Sequence, residues 1–201
     1  RFKDIDGLNF LAERRMLQNR VADLYNEHSY LAKSDEVNDN DRKIFAELSD
    51  IVEGRPTEDL LKTSISTLMK MMAAYYDKSV IVILDEYDVP LAKANSHGYY
   101  EEMLDLMKTM MSMALKDNNN LEFAVVTGCL KISKESIFTG VNNFTTDTIS
   151  NNRYNEFFGF TQNEVEELLK RVGHTEKLDI IRQWYDGYRF SGQEVYNPWS
   201  V

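Results

Sequence analysis

Val80-Ile81-Val82-Ile83-Leu84 runs directly into Asp85-Glu86, so a β-branched apolar segment ends in two adjacent carboxylates. Acids paired in this way suit phosphoryl chemistry. One can organise a magnesium ion through its water shell, while the next polarises a water aimed at a γ-phosphate. The same residues also suit a solvated strand end that is merely acidic. A second apolar segment, Leu121 to Val126, ends in Thr127-Gly128. A hydroxyl there can meet a phosphate or the attacking water, or can bond to nearby backbone as strand threonines often do. Lys131 and Lys134 follow within range of an anion on that edge, and each also reads as an ordinary surface lysine.

The group that would grip a triphosphate is not in this sequence. A phosphate loop needs Gly, four residues, then Gly-Lys-Ser/Thr, so that backbone N–H groups and the lysine surround the β- and γ-phosphates. None of the nine glycines is followed by lysine. Other chemistries find less support. His28, His97 and His174 stand apart without partners at zinc-ligand spacing. Cys129 has no protease-like companions and reads as a small packed thiol. The methionines, Met69 to Met72 and Met103 to Met113, recur at helical spacing and read as core filling. Asp41-Arg42-Lys43 matches the acid-x-Lys half of a metal-dependent nuclease only nominally, because it opens a polar helix instead of ending a strand.

The elements that must position these acids follow from periodicity. Apolar steps of three and four predict a helix from Leu8 to Leu31, a second around Ile44 to Val52 closed by Gly54 and Pro56, and a third capped by Thr57 and running through Tyr76. Val80 to Leu84, apolar on both faces, predicts a strand buried inside a parallel sheet. Tyr99 to Lys116 is helical, and Leu121 to Thr127 is a second strand. Strand, helix, strand makes a βαβ unit, which places both strand C-termini at one sheet edge, where ligands bind. Further on, Thr161-Gln162-Asn163-Glu164 has the form of a capping box opening a helix that Gly173 ends. A helix through Leu178 to Trp184 and a hairpin pairing Tyr188 to Phe190 with Glu194 to Tyr196 across Ser191-Gly192 complete the chain.

Composition sets the outer limits. The chain has 201 residues, 43% of them hydrophobic, which is enough for a proper core. Lys plus Arg number 23 against 33 Asp plus Glu, a net charge of −10, the wrong sign for holding nucleic acid by bulk electrostatics. One cysteine allows no intrachain disulfide and suits a reducing cytoplasm. No apolar run approaches a membrane span, so no membrane partner is expected. Arg1 in place of Met, and Val201 shortly after Asn197-Pro198, where a helix start is expected, read as a fragment of a longer protein.

The motifs can then be set side by side: VIVILDEYDVP from Val80 to Pro90, VVTGCLKISKESIFTGVNN from Val125 to Asn143, FFGFT from Phe157 to Thr161, then WYDGYRF and VYNPWSV. In this order and spacing they closely resemble the AAA-ATPase-like domain family of bacterial proteins, in which a P-loop ATPase module often precedes a nuclease-like domain. The resemblance is dense over residues 80 to 143 and 154 to 201, and weak in the opening helices.

The resemblance implies an α/β fold: a partial P-loop, AAA-like parallel sheet with flanking helices over residues 1–155, and a small helical lid domain carrying a β-hairpin over 156–201. It implies Walker B roles for Asp85, organising magnesium, and Glu86, orienting water, with Thr127 as the sensor that contacts the γ-phosphate. Lys131 stands where an arginine is usual. ATP and Mg2+ are the implied ligands, gripped by a Gly-Lys-Ser loop that family members carry upstream of the stretch Arg1 to Asp4 resembles. The expectation is ATP hydrolysis in the parent protein and little or none in this stretch alone. The alternative is a non-enzymatic interaction or regulatory module that keeps the fold without the nucleotide. Without the strand that feeds the phosphate loop, Leu121 to Thr127 would keep an apolar unpaired edge, which predicts either pairing with a second copy or cover by rearranged helices.

Overall fold

A computed structural model describes residues 1–52, 56–129, 137–138, 144–148 and 150–197, with 186 and 187 described by their backbone only. They group into two compact units, Arg1–Asn142 and Asn143–Val201.

In the first unit, side-chain caps start three helices: Asn9 accepts from the Ala12 N–H at the head of α1 (Phe10–Glu27), Asn38 from Asp41 at α2 (Asp39–Ser49), and Thr57 from Leu60 at α3 (Glu58–Tyr76). The helix expected through Leu31 stops at Glu27, and a 3-10 turn, Ser29–Lys33, carries the chain on. Gly54, expected to help end the second helix, lies outside the described residues. Helix α3 packs along α5 (Tyr100–Leu115), burying Leu61, Leu68 and Met71 with Met103, Leu106, Met107 and Met110. At roughly 2 kcal/mol for each fully buried large apolar side chain, this seam supplies much of the unit's stability. Met113 departs from the core-filling expectation: it lies on the exposed face of α5.

β1 (Val80–Leu84) and β2 (Leu121–Val126) pair in parallel, Ile81 beside Phe123 and Ile83 beside Val125. A helix the sequence reading left out, α4 (Val89–His97), lies between β1 and α5. The expectation of a strand buried on both faces is corrected. Val82 and Leu84 are buried, whereas Ile83 is 71% exposed and Phe123 50%. The cause is the alternation of a strand in a sheet covered on one face: one side meets α3 and α5, and Ile81, Ile83, Phe123 and Val125 on the other are exposed. The expectation of an unpaired edge concerned Leu121 to Thr127, and among the described residues β2 pairs with β1 alone.

Where α1 begins, a buried acid meets a buried phenol. Glu13 is fully buried, and the Tyr99 hydroxyl lies within hydrogen-bond reach of both its carboxyl group and the Gly7 carbonyl. Tyr99 has one proton to donate and Gly7 can only accept, so both contacts are satisfied at once when Glu13 carries a proton of its own. Its other oxygen, Oε1, has no hydrogen-bond partner among the described residues, which a neutral carbonyl tolerates better than a carboxylate. Burial pushes the Glu13 carboxyl up to about 7, against the opposing pull of the Tyr99 hydrogen bond. A folded-state value above the unfolded one means that the native protein holds the extra proton. The resulting stability is therefore full below about pH 4.5 and is lost as the pH rises through about 7. The expected loss is about 2–3 kcal/mol between pH 5 and 8, and Glu13→Gln flattens that slope. Denaturant unfolding of both proteins across this range checks it, and parallel slopes would refute a neutral Glu13.

The second unit opens with a 3-10 turn, Asn155–Phe157, and a short strand β3 (Phe160–Thr161). Helix α6 (Gln162–Val172) begins with the expected capping box: Glu164 N–H donates to Thr161 Oγ1 and the Thr161 N–H donates to the Glu164 carboxylate. Gly173 ends it at φ 75°, a left-handed conformation that favours glycine. After α7 (Leu178–Tyr185), the expected hairpin forms from β4 (Asp186–Phe190) and β5 (Gln193–Tyr196), turning at Ser191-Gly192. β3 pairs with the other side of β5, so the sheet has a third strand that the sequence reading did not anticipate. Val165, Leu169 and Tyr196 form its small core.

Candidate active site

The parallel pairing of β1 and β2 sets the site. Because both strands run the same way, residues 85–88 and 127–129 leave the sheet at the same edge, and successive hydrogen bonds join them. Thr127 N–H donates to the Leu84 carbonyl at 2.8 Å and Tyr87 N–H to the Thr127 carbonyl at 3.1 Å. The Thr127 hydroxyl donates to Asp85 Oδ1 at 2.6 Å. Arg1 Nε donates to Asp85 Oδ2 at 2.7 Å, and the Phe2 N–H reaches the Asp85 carbonyl at 3.1 Å. The Thr127 hydrogen bond first, then the Arg1 guanidinium, hold the Asp85 carboxyl below its usual range. Asp85 is therefore ionised at any physiological pH.

Glu86 differs from its neighbour. Its backbone sits at φ 59°, in the left-handed region. Asp77 and Asp117 adopt similar angles at helix ends, but aspartate is one of the residues that tolerates this conformation. A longer side chain held there costs on the order of 1–3 kcal/mol, and such strain gathers at functional sites. Glu86 Oε2 is buried and has no hydrogen-bond partner among the described residues. An orphaned carboxylate oxygen beside an ionised aspartate is what a water-polarising base requires before its water and substrate arrive.

Of the five residues singled out for this edge from the sequence, Asp85, Glu86 and Thr127 thus meet there. Lys131 lies outside the described residues, as does Lys134. Three contributors were missed. Arg1 pairs with Asp85 from a distant part of the chain, which no local pattern signals. Tyr87 stacks edge-on against Phe138 with ring centroids 5.3 Å apart. Asp88 is 3% exposed, and its Oδ2 accepts the Cys129 N–H at 3.0 Å. A third acid two residues beyond Glu86 was the available signal. Cys129 corrects the packed-thiol expectation: its residue is exposed, because β2 has already ended and the chain has left the sheet.

Among the described residues, no group of three or more His, Cys, Asp or Glu is placed to hold a metal by itself. Two carboxylates and a hydroxyl nevertheless fit magnesium, which takes one or two carboxylates and completes its shell with water and substrate phosphates. Asp41, the nominal nuclease acid, instead lies buried on α2 and pairs with Lys70 at 2.9 Å.

A family model described as "Predicted AAA-ATPase" matches residues 11–138, which include both strands and the acids after β1. The chain belongs to this predicted AAA-ATPase family. A relative in Azotobacter chroococcum mcd 1, "Uncharacterized protein in vnfD 5'region", is 32% identical over 136 residues, 67% of this chain and 26% of its own length. The chain thus matches about a quarter of that relative. No solved structure matches it. As an AAA-ATPase-like protein it is mixed α/β, with a two-stranded parallel sheet in one unit and a three-stranded antiparallel sheet in the other. No helix among the described residues is long and apolar enough to cross a membrane.

Proposed function

We propose that this AAA-ATPase-like chain supplies the hydrolytic edge of an ATP site, and that a phosphate loop outside these residues supplies the grip. The observation that carries the reading is the joining of Asp85 and Thr127 at one sheet edge, next to a strained Glu86 with an unpartnered buried oxygen. In this reading Asp85, kept ionised, would hold a magnesium ion through its water shell, and the ion would supply charge neutralisation for the phosphates. Glu86 orients the attacking water and takes its proton. Thr127, within the same hydrogen-bonded edge, reports the presence of the γ-phosphate to Asp85. Fixed groups of this kind lower the barrier by positioning and electrostatics, since phosphoryl transfer demands little covalent work from a protein.

Magnesium-dependent phosphate release from ATP tests the proposal. A polypeptide extended upstream through a Gly-x-x-x-x-Gly-Lys-Ser/Thr loop is expected to turn over at about 1 s⁻¹ or faster, within the ordinary range for enzymes. The expected rate falls to background in EDTA. An intact loop with no magnesium-dependent release would defeat the proposal and favour a scaffold that keeps the fold without the chemistry.

A further inference from the structure

Asp88 stands at the N-cap of α4, a position where aspartate ordinarily accepts from its own helix's N2 or N3 N–H. Here it makes no such bond. Part of the reason is local: Pro90 at the second helical position has no N–H to offer. The carboxylate turns instead across the site and accepts the Cys129 N–H, 41 residues away in sequence. Gly128 makes room for it. A Cβ built on Gly128 would lie 2.6 Å from Asp88 Oδ1 and 2.7 Å from the Tyr87 ring. A nearly fully buried acid therefore leaves its own helix uncapped and fixes the backbone just beyond Thr127.

We propose that Asp88 is a positioning residue for the hydrolytic edge: it holds the Gly128-Cys129 backbone so that the Thr127 hydroxyl stays on Asp85. This inference rests on the ATPase reading for its consequence, but not for its geometry. Asp88 touches no reacting atom in it. The residue acts through the 127–129 segment, closing the last of a series of contacts that begins with Thr127 N–H to Leu84.

Two measurements test it. Residue-resolved amide exchange on the isolated chain is expected to show the Cys129 N–H exchanging about tenfold faster in Asp88→Ala, the consequence of losing one hydrogen bond to a charged acceptor. Asp88→Asn keeps an acceptor oxygen and is expected to stay within about threefold of wild type. Gly128→Ala pushes the carboxylate away without deleting a buried group, so it repeats the Asp88→Ala result should that variant not fold. In the upstream-extended polypeptide, Asp88→Ala is expected to lower kcat about tenfold or more with the KM for ATP nearly unchanged, and Asp88→Asn to recover most of that loss. Unchanged Cys129 exchange in Asp88→Ala and Gly128→Ala overturns the inference, as does a loss carried by KM alone. A failure of the ATPase reading looks different: Glu86→Gln would leave the rate unaltered, while exchange at Cys129 would still follow Asp88.

Discussion

Calorimetry with Mg·ATP is expected to register no micromolar binding to the isolated chain, whereas the form extended through an upstream phosphate loop binds in the micromolar range. Micromolar affinity requires about 8 kcal/mol of binding free energy. In P-loop proteins much of this comes from backbone N–H groups and a lysine wrapped around the phosphates. The described site offers the opposite: two acids, a hydroxyl and a single guanidinium that already faces Asp85, on a chain of net charge −10. A triphosphate meeting that edge alone gains little direct attraction. The predicted difference in affinity is at least about a hundredfold, equivalent to some 3 kcal/mol. Micromolar binding to the isolated chain would mean that the grip resides in residues given no such role here.

Glu86→Gln should have the largest effect on turnover, about 10²–10³-fold, because removing a positioned general base leaves the substrate bound but its water unactivated. Glutamine matches glutamate in size and meets the same backbone angle, so the change is chemical and not steric. It also replaces an acid whose Oε2 is buried and without a partner among the described residues by a neutral amide, so folding stability should hold or rise slightly. Affinity for ATP should stay within a few fold, since Glu86 contacts the water and not the phosphates in this account. A comparable loss through KM would assign Glu86 to nucleotide binding instead.

Much of the framework was legible in local chemistry. The Thr161 capping box, the left-handed Gly173, the hairpin at Ser191-Gly192 and the two strands before Asp85 and Thr127 each follow from short-range rules, and each formed. What escaped depends on partners far away in sequence. Val80 to Leu84 looks the same whether its sheet is covered on one face or both, so the exposure of Ile81 and Ile83 could not be read from it. Helix α4 is short, nine residues between the strand end and Tyr99, and was missed although Asp88 followed by Pro90 has the form of an ordinary helix start. The burial of Glu13 was equally silent, since an acid in the first turn of a helix is ordinary until Tyr99 closes over it. In the site, Asp85, Glu86 and Thr127 were visible as residue types at strand ends. The left-handed backbone of Glu86, the Arg1 contact and the turn of Asp88 toward Cys129 became visible only in three dimensions.

The most direct measurement takes the extended polypeptide with Glu86→Gln and follows, in one sample, the ATP bound and the phosphate released. The account predicts ATP retained at close to wild-type occupancy and released as phosphate about 10²–10³-fold more slowly. Bound ATP cleaved at the wild-type rate would contradict it, because the acid at the end of β1 would then have no part in the chemistry.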